Sequence, residues 1–391
     1  MLSEWLPWIV VGGVVILGTT AAVLLGGAAP PPLSGKGVRR RRPRHDQFRP
    51  DDPPEQPVRH AAIVLNPTKV PGASDLRGEV RRICNAEGWG EPRFYETTVE
   101  DPGAGQARLA AADGAAVVCS FGGDGTVRSV ASALIGTQTP LGVLPAGTGN
   151  LLARNLDVPV GSLDAAVRVA LSGRDRRIDV GELVLGSTES PATAPGRSSA
   201  DEPGTRPGSE SEPAESEPAE PQRHHFLVMT GIGMDAAIMQ GTNENLKATV
   251  GWGAYVVSGI KHLVSPEFRA TFWLDADPGF RRRARAVIVG NCGRLLGGLV
   301  LMPDARVDDG RLDVVIASPK GFVGWAPVIA RAVTRRRKGH PTLDHEVCGQ
   351  IRVHTDRPLP VQIDGDVVAE SSDITARVLP ASLTVRVAHN S

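Results

Sequence analysis

The sequence predicts an α/β fold built on a mostly parallel sheet and preceded by an N-terminal transmembrane helix. Three observations carry that reading. From about residue 58, short apolar runs alternate with segments of helical spacing; glycine-rich turns stand directly after two of those runs; and residues 5–29 hold no charged side chain. A charge-free stretch of that length spans a hydrocarbon core of ~30 Å, for which about 20 helical residues suffice. Lys36, Arg39, Arg40, Arg41, Arg42 and Arg44 follow it, and only Glu4 precedes it, which places the body of the chain on the cytoplasmic side. The expected localisation is therefore the inner (plasma) membrane, single-pass, with a cytoplasmic catalytic body. A cleaved signal peptide, the alternative, would carry its positive charge before the apolar run.

Residues 30–57 are rich in proline and arginine and read as an extended linker. Structure begins near residue 58. Residues 61–65 form a strand-type run ending in Asn66-Pro67, and 75–87 show helical spacing with Leu76, Val80 and Ile83 on one face. A strand at 93–96, a helix at 105–112 and a buried-type strand at 115–121 come next, then a helix at 127–134, a strand at 141–144 and a short helix at 151–155. In such a sheet, ligands bind at the carboxyl ends of the strands. Further on, 180–185 and 226–230 pair as strands of one hairpin. Residues 186–223, dominated by Ser, Pro, Glu and Ala, interrupt them as an insertion that cannot recover its ordering entropy by burial.

With 43 basic and 43 acidic residues the chain has no net charge to draw it onto a polyanion, so nucleic acid is not an expected partner. Cys84, Cys119, Cys292 and Cys348 lie far apart and form no C-x-x-C pair, which excludes a zinc knuckle or a dense disulfide scaffold and fits a reducing compartment.

Chemistry concentrates in the glycine turns. Gly122-Gly123-Asp124-Gly125-Thr126 closes one strand and opens a helix. Glycines let main-chain N–H groups approach a polyphosphate, and the helix N-terminus adds its positive end. Asp124 inside that loop repels phosphate unless bound magnesium or an ordered polar bridge absorbs its charge. Pro145-Ala146-Gly147-Thr148-Gly149-Asn150 repeats the arrangement after the next strand. There Thr148 offers a hydroxyl, and Asn150 either caps the helix or bonds a ribose or phosphate oxygen. Either loop alone is compatible with a plain strand-to-helix turn. Together they point to a nucleotide.

Asn66-Pro67-Thr68, Gly122 to Thr126 and Gly147-Thr148-Gly149-Asn150, in this order, resemble the diacylglycerol kinase catalytic-domain family, which includes bacterial lipid kinases. The resemblance extends to Gly231-Ile232-Gly233-Met234-Asp235, to 304–313, and to Asp364-Gly365-Asp366, where the family has Asp-Gly-Glu. It implies ATP-dependent phosphorylation of a lipid hydroxyl, with diacylglycerol the leading substrate. It also implies a Rossmann-like α/β nucleotide domain (58–180) followed by a β-rich, β-sandwich lipid-binding domain (181–388). By the same resemblance Asn66, Pro67, Thr68, Lys69, Val70, Thr98, Gly122, Gly123, Asp124, Gly125, Thr126, Thr148 and Asn150 bind ATP. Mg2+ would be held by the Asp309 side chain and the backbone oxygens of Arg306 and Arg311. From the residues alone, Asp309-Gly310 between apolar strands reads first as a tight hairpin turn.

Asp366 and Asp124 are the candidate catalytic carboxylates. Asp366 is the candidate general base, accepting the proton of the lipid hydroxyl as its oxygen attacks the γ-phosphorus. Asp364 and Asp366 would share one face if the strand at 361–363 continued extended. Aspartate in place of glutamate shortens the reach by one methylene, so that either the backbone compensates, or Glu370 assists, or the enzyme is slow. Arg281-Arg282-Arg283 with Arg285, and Arg335-Arg336-Arg337-Lys338, suit an anionic membrane surface as well as plain solvation. The sequence leaves a homodimer open. Two other readings compete with the membrane lipid kinase: an NAD kinase, which shares the Gly-Gly-Asp-Gly loop, and a non-catalytic lipid or nucleotide sensor.

Overall fold

The structure is a computed structural model, and it describes residues 59–70, 73–186, 222–233, 266–294, 300–318 and 343–389. Its first half is the predicted alternation: β1 (Ala61–Leu65), α1 (Ala73–Ala86), β2 (Arg93–Glu96), α2 (Ala104–Ala112), β3 (Val117–Gly122), α3 (Asp124–Leu134), β4 (Leu141–Pro145), α4 (Leu151–Asn155) and α5 (Leu163–Ser172). The four strands are parallel in the order β2–β1–β3–β4. β1 and β3 are buried along their whole length, as strands covered on both faces must be. Helix α3 buries Val127, Val130, Ala131 and Leu134, the i, i+3, i+4, i+7 stripe. Helix α5 starts where the Ser162 hydroxyl accepts the Ala165 N–H at 3.2 Å.

The second half is β-rich: β5 (Arg174–Leu185), β6 (Gln222–Phe226), β7 (Met229–Ile232), β8 (Phe268–Leu274), β9 (Phe280–Ala284), β10 (Ala286–Gly290), β11 (Leu312–Ala317), β12 (Leu343–Cys348), β13 (Gln350–Ile363) and β14 (Asp366–Val387). A hairpin closes across the insertion, but its second arm is β6 at 222–226, which takes up the last two residues of the expected insertion. Of the expected arm at 226–230 only Phe226 pairs with β5, opposite Gly181, and Met229 and Thr230 belong to β7, which pairs with β10 and β13. β5 runs unbroken through residue 180, so the expected boundary falls inside a strand. All these strands join the first four in one continuous mixed sheet, because β14 pairs with β4 through Val385 and Leu141 and with β13 and β5 along its length. Register shifts between His354 and Leu359 on β13, and between Leu379 and Leu383 on β14, bend the sheet. Two cores result, one under the parallel strands and one enclosed by β5, β7, β8, β10, β11, β13 and β14. β14 supplies Leu383, Val385 and Val387 to the first and Ile374 and Ala376 to the second. The four cysteines are buried and unpaired.

The transmembrane expectation requires correction. Among the described residues no helix is long and apolar enough to cross a membrane; the longest, α1, has 14 residues where about 20 are needed. The architecture is an α/β fold with a mixed sheet and a C-terminal β-rich region. The single-pass inner-membrane localisation is withdrawn with the helix that motivated it. Residues 5–29 and the linker at 30–57 lie outside the described residues, as do 187–221 of the insertion, Met234, Asp235 and the basic run at 335–338.

Candidate active site

In the order β2–β1–β3–β4 the sheet changes direction between β1 and β3, the switch point beyond whose strand ends open α/β sheets bind their ligands. Asn66 follows β1 and Gly123 follows β3, so the predicted phosphate residues stand at this switch point. Asn66 is the organiser. Its Oδ1 accepts the Thr68 N–H at 3.0 Å and the Thr68 hydroxyl at 2.7 Å, and its Nδ2 donates to the Thr126 Oγ1 at 3.3 Å. Pro67, Thr68 and Lys69 are exposed, whereas Val70 is packed into the core and offers no side-chain contact to a ligand. Thr126 is likewise buried and turned toward Asn66. Thr98 is exposed and its hydroxyl accepts the Asp101 N–H at 3.1 Å; its neighbour Thr97 is buried.

The two glycine loops meet as bare backbone. A Cβ on Gly147 would lie 2.7 Å from the Gly123 Cα, and one on Gly149 would lie 2.4 Å from the Asp124 Oδ2, so side chains there would fill the space where the loops converge. Asp124 joins the loops: its Oδ1 accepts the Leu151 N–H at 2.6 Å and caps α4 from the first loop. Asn150 therefore does not cap. It adopts a left-handed backbone (φ 49°), accepts the Gly147 N–H at 3.0 Å and donates to the Gly147 carbonyl at 2.8 Å, holding the second turn closed. Thr148 remains exposed at its tip. The contact between Asp124 and Leu151 is an ordered polar bridge of the kind that absorbs the charge of Asp124.

Burial raises the Asp124 carboxyl, the Leu151 N–H opposes this, and nearby Asp364 and Asp366 add to the rise. The folded protein thus holds this proton more tightly than the unfolded chain. The stability so contributed is complete below the ordinary carboxylate range and is lost as pH climbs through the raised value. Asp124→Asn, which keeps an acceptor for Leu151, is expected to flatten that part of a plot of melting temperature against pH. A slope identical to the parent's would refute the assignment.

The acidic turn comes from the other half of the chain. Asp364 and Gly365 both have positive φ, 48° and 99°, so extended geometry ends at Ile363 and the two aspartates part company. Asp364 points inward and accepts the Leu227, Val228 and Met229 N–H groups at 3.1, 2.9 and 3.0 Å. Burial pushes its carboxyl up, against the Arg128 guanidinium and those three donors. Asp366 points outward, 58 % exposed, and its Oδ2 lies 3.5 Å from where Gly125 would carry a Cβ. Glu370 lies four residues further along β14, about 13 Å away at ~3.3 Å per residue, too far to assist.

Arg128 is the site residue that the sequence reading missed. From the second turn of α3 its Nη2 donates to Asp366 at 2.8 Å and its Nη1 to the Ile363 carbonyl at 2.8 Å, tying the phosphate loop's helix to the acidic turn. His224 on β6 also faces it: burial lowers this imidazole, and the Arg128 charge lowers it further.

At the expected metal loop, the Asp309 Oδ1 accepts the Arg311 N–H at 3.1 Å, and Gly310 has φ 70°, the tight turn that the sequence allowed. Buried Asp179 accepts the Gly310 N–H and the Ala381 N–H, each at 2.7 Å, and braces the loop. Burial raises the Asp309 carboxyl, and Asp313 and Asp179 add to it. Among the described residues no three His, Cys, Asp or Glu side chains gather around a metal position. One carboxylate oxygen left over from the Asx turn, together with backbone carbonyls, is still an oxygen set suited to a hard cation. A cavity of about 670 Å³ lies beside this loop, lined among others by Asn155, Arg176, Met302 and Arg306, and it shares no lining residue with the glycine loops.

Comparison with known proteins agrees with this geometry. The family model "Diacylglycerol kinase catalytic domain" matches residues 60–183, and "YegS C-terminal NAD kinase beta sandwich-like domain" matches 228–387. A "Probable lipid kinase YegS-like" of Yersinia enterocolitica is 27 % identical over 262 residues, 65 % of this chain and 74 % of the relative. Another from Pseudomonas aeruginosa is 32 % identical over 221 residues, covering 55 % of this chain and 59 % of the relative. A "Diacylglycerol kinase" of Staphylococcus aureus is 22 % identical over 314 residues, or 79 % and 86 % of the two chains. The crystal structure of a diacylglycerol kinase from Bacillus anthracis shares the fold with a TM-score of 0.62 at 19 % identity, covering 85 % of this chain and 98 % of that one. The two domain matches together take in both glycine loops, Arg128 and the Asp364 turn, and the chain accordingly carries a diacylglycerol kinase catalytic domain followed by a YegS-type C-terminal domain, similar to lipid kinases.

Proposed function

We propose that the protein transfers the γ-phosphate of ATP to the hydroxyl of diacylglycerol, giving phosphatidic acid and ADP. The observation that carries this reading is the closure of the Asp366 turn on the phosphate loop through Arg128. That closure brings the Asp366 carboxylate to within 3.5 Å of where Gly125 of the glycine loop would carry a Cβ, which supports Asp366 as the base. Asp366 accepts the proton of the lipid hydroxyl, and the freed oxygen attacks phosphorus in line with the departing ADP. Backbone N–H groups around Gly123 and Gly147 hold the phosphates, Asn66 fixes the loop on the β1 side, and Asp124 keeps the two loops in register. Magnesium, held through Asp309 and the carbonyls of Arg306 and Arg311, would supply charge screening or brace its loop. Incubating the protein with labelled ATP and, separately, diacylglycerol, phosphatidylglycerol, ceramide, sphingosine and NAD is expected to label diacylglycerol foremost. Label in NAD alone would replace this reading by the NAD kinase one, and label in none of them would favour a sensor.

A further inference from the structure

The hairpin β8–β9 lies at the margin of the sheet, and among the described residues β9 pairs with β8 alone. Its register sets Arg269 opposite Arg283 and Thr271 opposite Arg281, while β13 places His354 beside Thr271 and Arg352 beside Trp273. Phe268, Ala270, Phe272 and Leu274 alternate with these residues and face the core, so Arg269, Arg281, Arg283, Arg352 and His354 share the outward face. A groove of about 350 Å³ runs among Arg269, Arg281, Arg282, Arg283 and His354, with one acidic group in its wall, Asp356, which accepts the Arg269 N–H at 3.2 Å. The acidic groups on this face are Glu267, 3.4 Å from Arg283, Asp373, 2.6 Å from Arg352, and Asp356 beside Arg357. Arg269 and Arg281 have no ion pair to another described residue, so the face keeps a positive excess. Within it Trp273 is half-buried, its indole covered by Gly279 and by the Arg352 guanidinium 5.5 Å from the ring centre.

We infer that this face docks the enzyme on the phosphates of an anionic lipid bilayer. The inference rests on the lipid-kinase reading for its purpose, since a substrate dissolved in a bilayer must be met at that surface. It rests on charge and shape for its location. A second copy of the chain is a poor occupant, because joining two β9 edges would set arginine rows against each other. Arginine binds phosphate oxygens in a bidentate fork, and an indole with one apolar and one polar edge is suited to the headgroup level.

The test uses the full chain with vesicles of phosphatidylcholine alone or with phosphatidylglycerol, scored by sedimentation at physiological salt. The parent is expected to prefer the anionic vesicles. Each basic residue at such a surface contributes about fivefold in affinity, so Arg281→Gln/Arg283→Gln is expected to lower that preference roughly 30-fold. Arg281→Lys/Arg283→Lys is expected to keep most of it. Phosphorylation of short-chain, monomeric dihexanoylglycerol should be the same in all three proteins. A parent without preference, a Gln pair with undiminished preference, or tighter binding to an RNA homopolymer lost in the same variant would each overturn the docking assignment. Absent phosphorylation of dihexanoylglycerol by the parent would instead count against the kinase substrate and leave the sedimentation result standing.

Discussion

Asp366→Asn is expected to lower turnover on diacylglycerol by roughly 10²–10⁴-fold, the range that a positioned general base contributes, with ATP affinity changed little. The separation of the two effects follows from the geometry. Asp366 is exposed and among the described residues its ion pair is with Arg128 alone, so the isosteric amide disturbs neither glycine loop. Asp366→Glu is expected to retain or improve turnover. The added methylene carries the carboxylate outward from Arg128 by about 1 Å, the scale of misplacement that can cost ~100-fold when it is wrong and recover as much when it is right. Both are read in one assay with labelled ATP. An Asn variant as active as the parent would remove the assigned base.

Asp364→Ala is expected to act through stability. The carboxylate is buried and accepts three main-chain N–H groups from 227–229, all of which the alanine would strand without partners. At about 1–3 kcal/mol for each unsatisfied buried donor, and with some relief by relaxation, the loss is about 3–5 kcal/mol. Chemical denaturation of the parent and the variant measures it. A loss below about 1 kcal/mol would mean that water replaces the carboxylate without penalty. The contrast with Asp366, two residues away, is instructive, because both are aspartates in one acidic turn and the direction of the backbone at Asp364 and Gly365 buries one carboxylate among main-chain donors and leaves the other exposed.

That backbone direction was beyond the sequence reading, which expected the two aspartates on a common face. Elements whose cause is local were legible. β1, β3 and β4 announce themselves as short apolar runs, and α3 by Val127, Val130, Ala131 and Leu134, because covering by helices requires those patterns whatever lies elsewhere. The position of the nucleotide loops was legible for the same reason, since glycine after a parallel strand marks where backbone must approach a ligand. Asn150 was read as a cap or a ligand contact because Asn at a helix start usually does one or the other. The competing group, Asp124, arrives from a different strand and takes the capping role first. Arg128 carries no local signal at all: it is one more polar residue on a helix until the turn at Ile363 and Asp366 folds over it. The apolar stretch at 5–29 fixed the membrane expectation by composition alone, and no described helix repeats its character.

The place of β14 in the sheet has a kinetic side. It comes last among the described strands in chain order and yet lies between β13 and β4, flanked also by β5, so the pairing of Val385 with Leu141 joins segments made far apart in time. Such non-local contacts slow folding, since loop closure must precede any reward from burial. Until β14 inserts, each core lacks a wall. The nascent polypeptide consequently completes neither core, nor joins the glycine loops to the acidic turn, before its last described strand is in place.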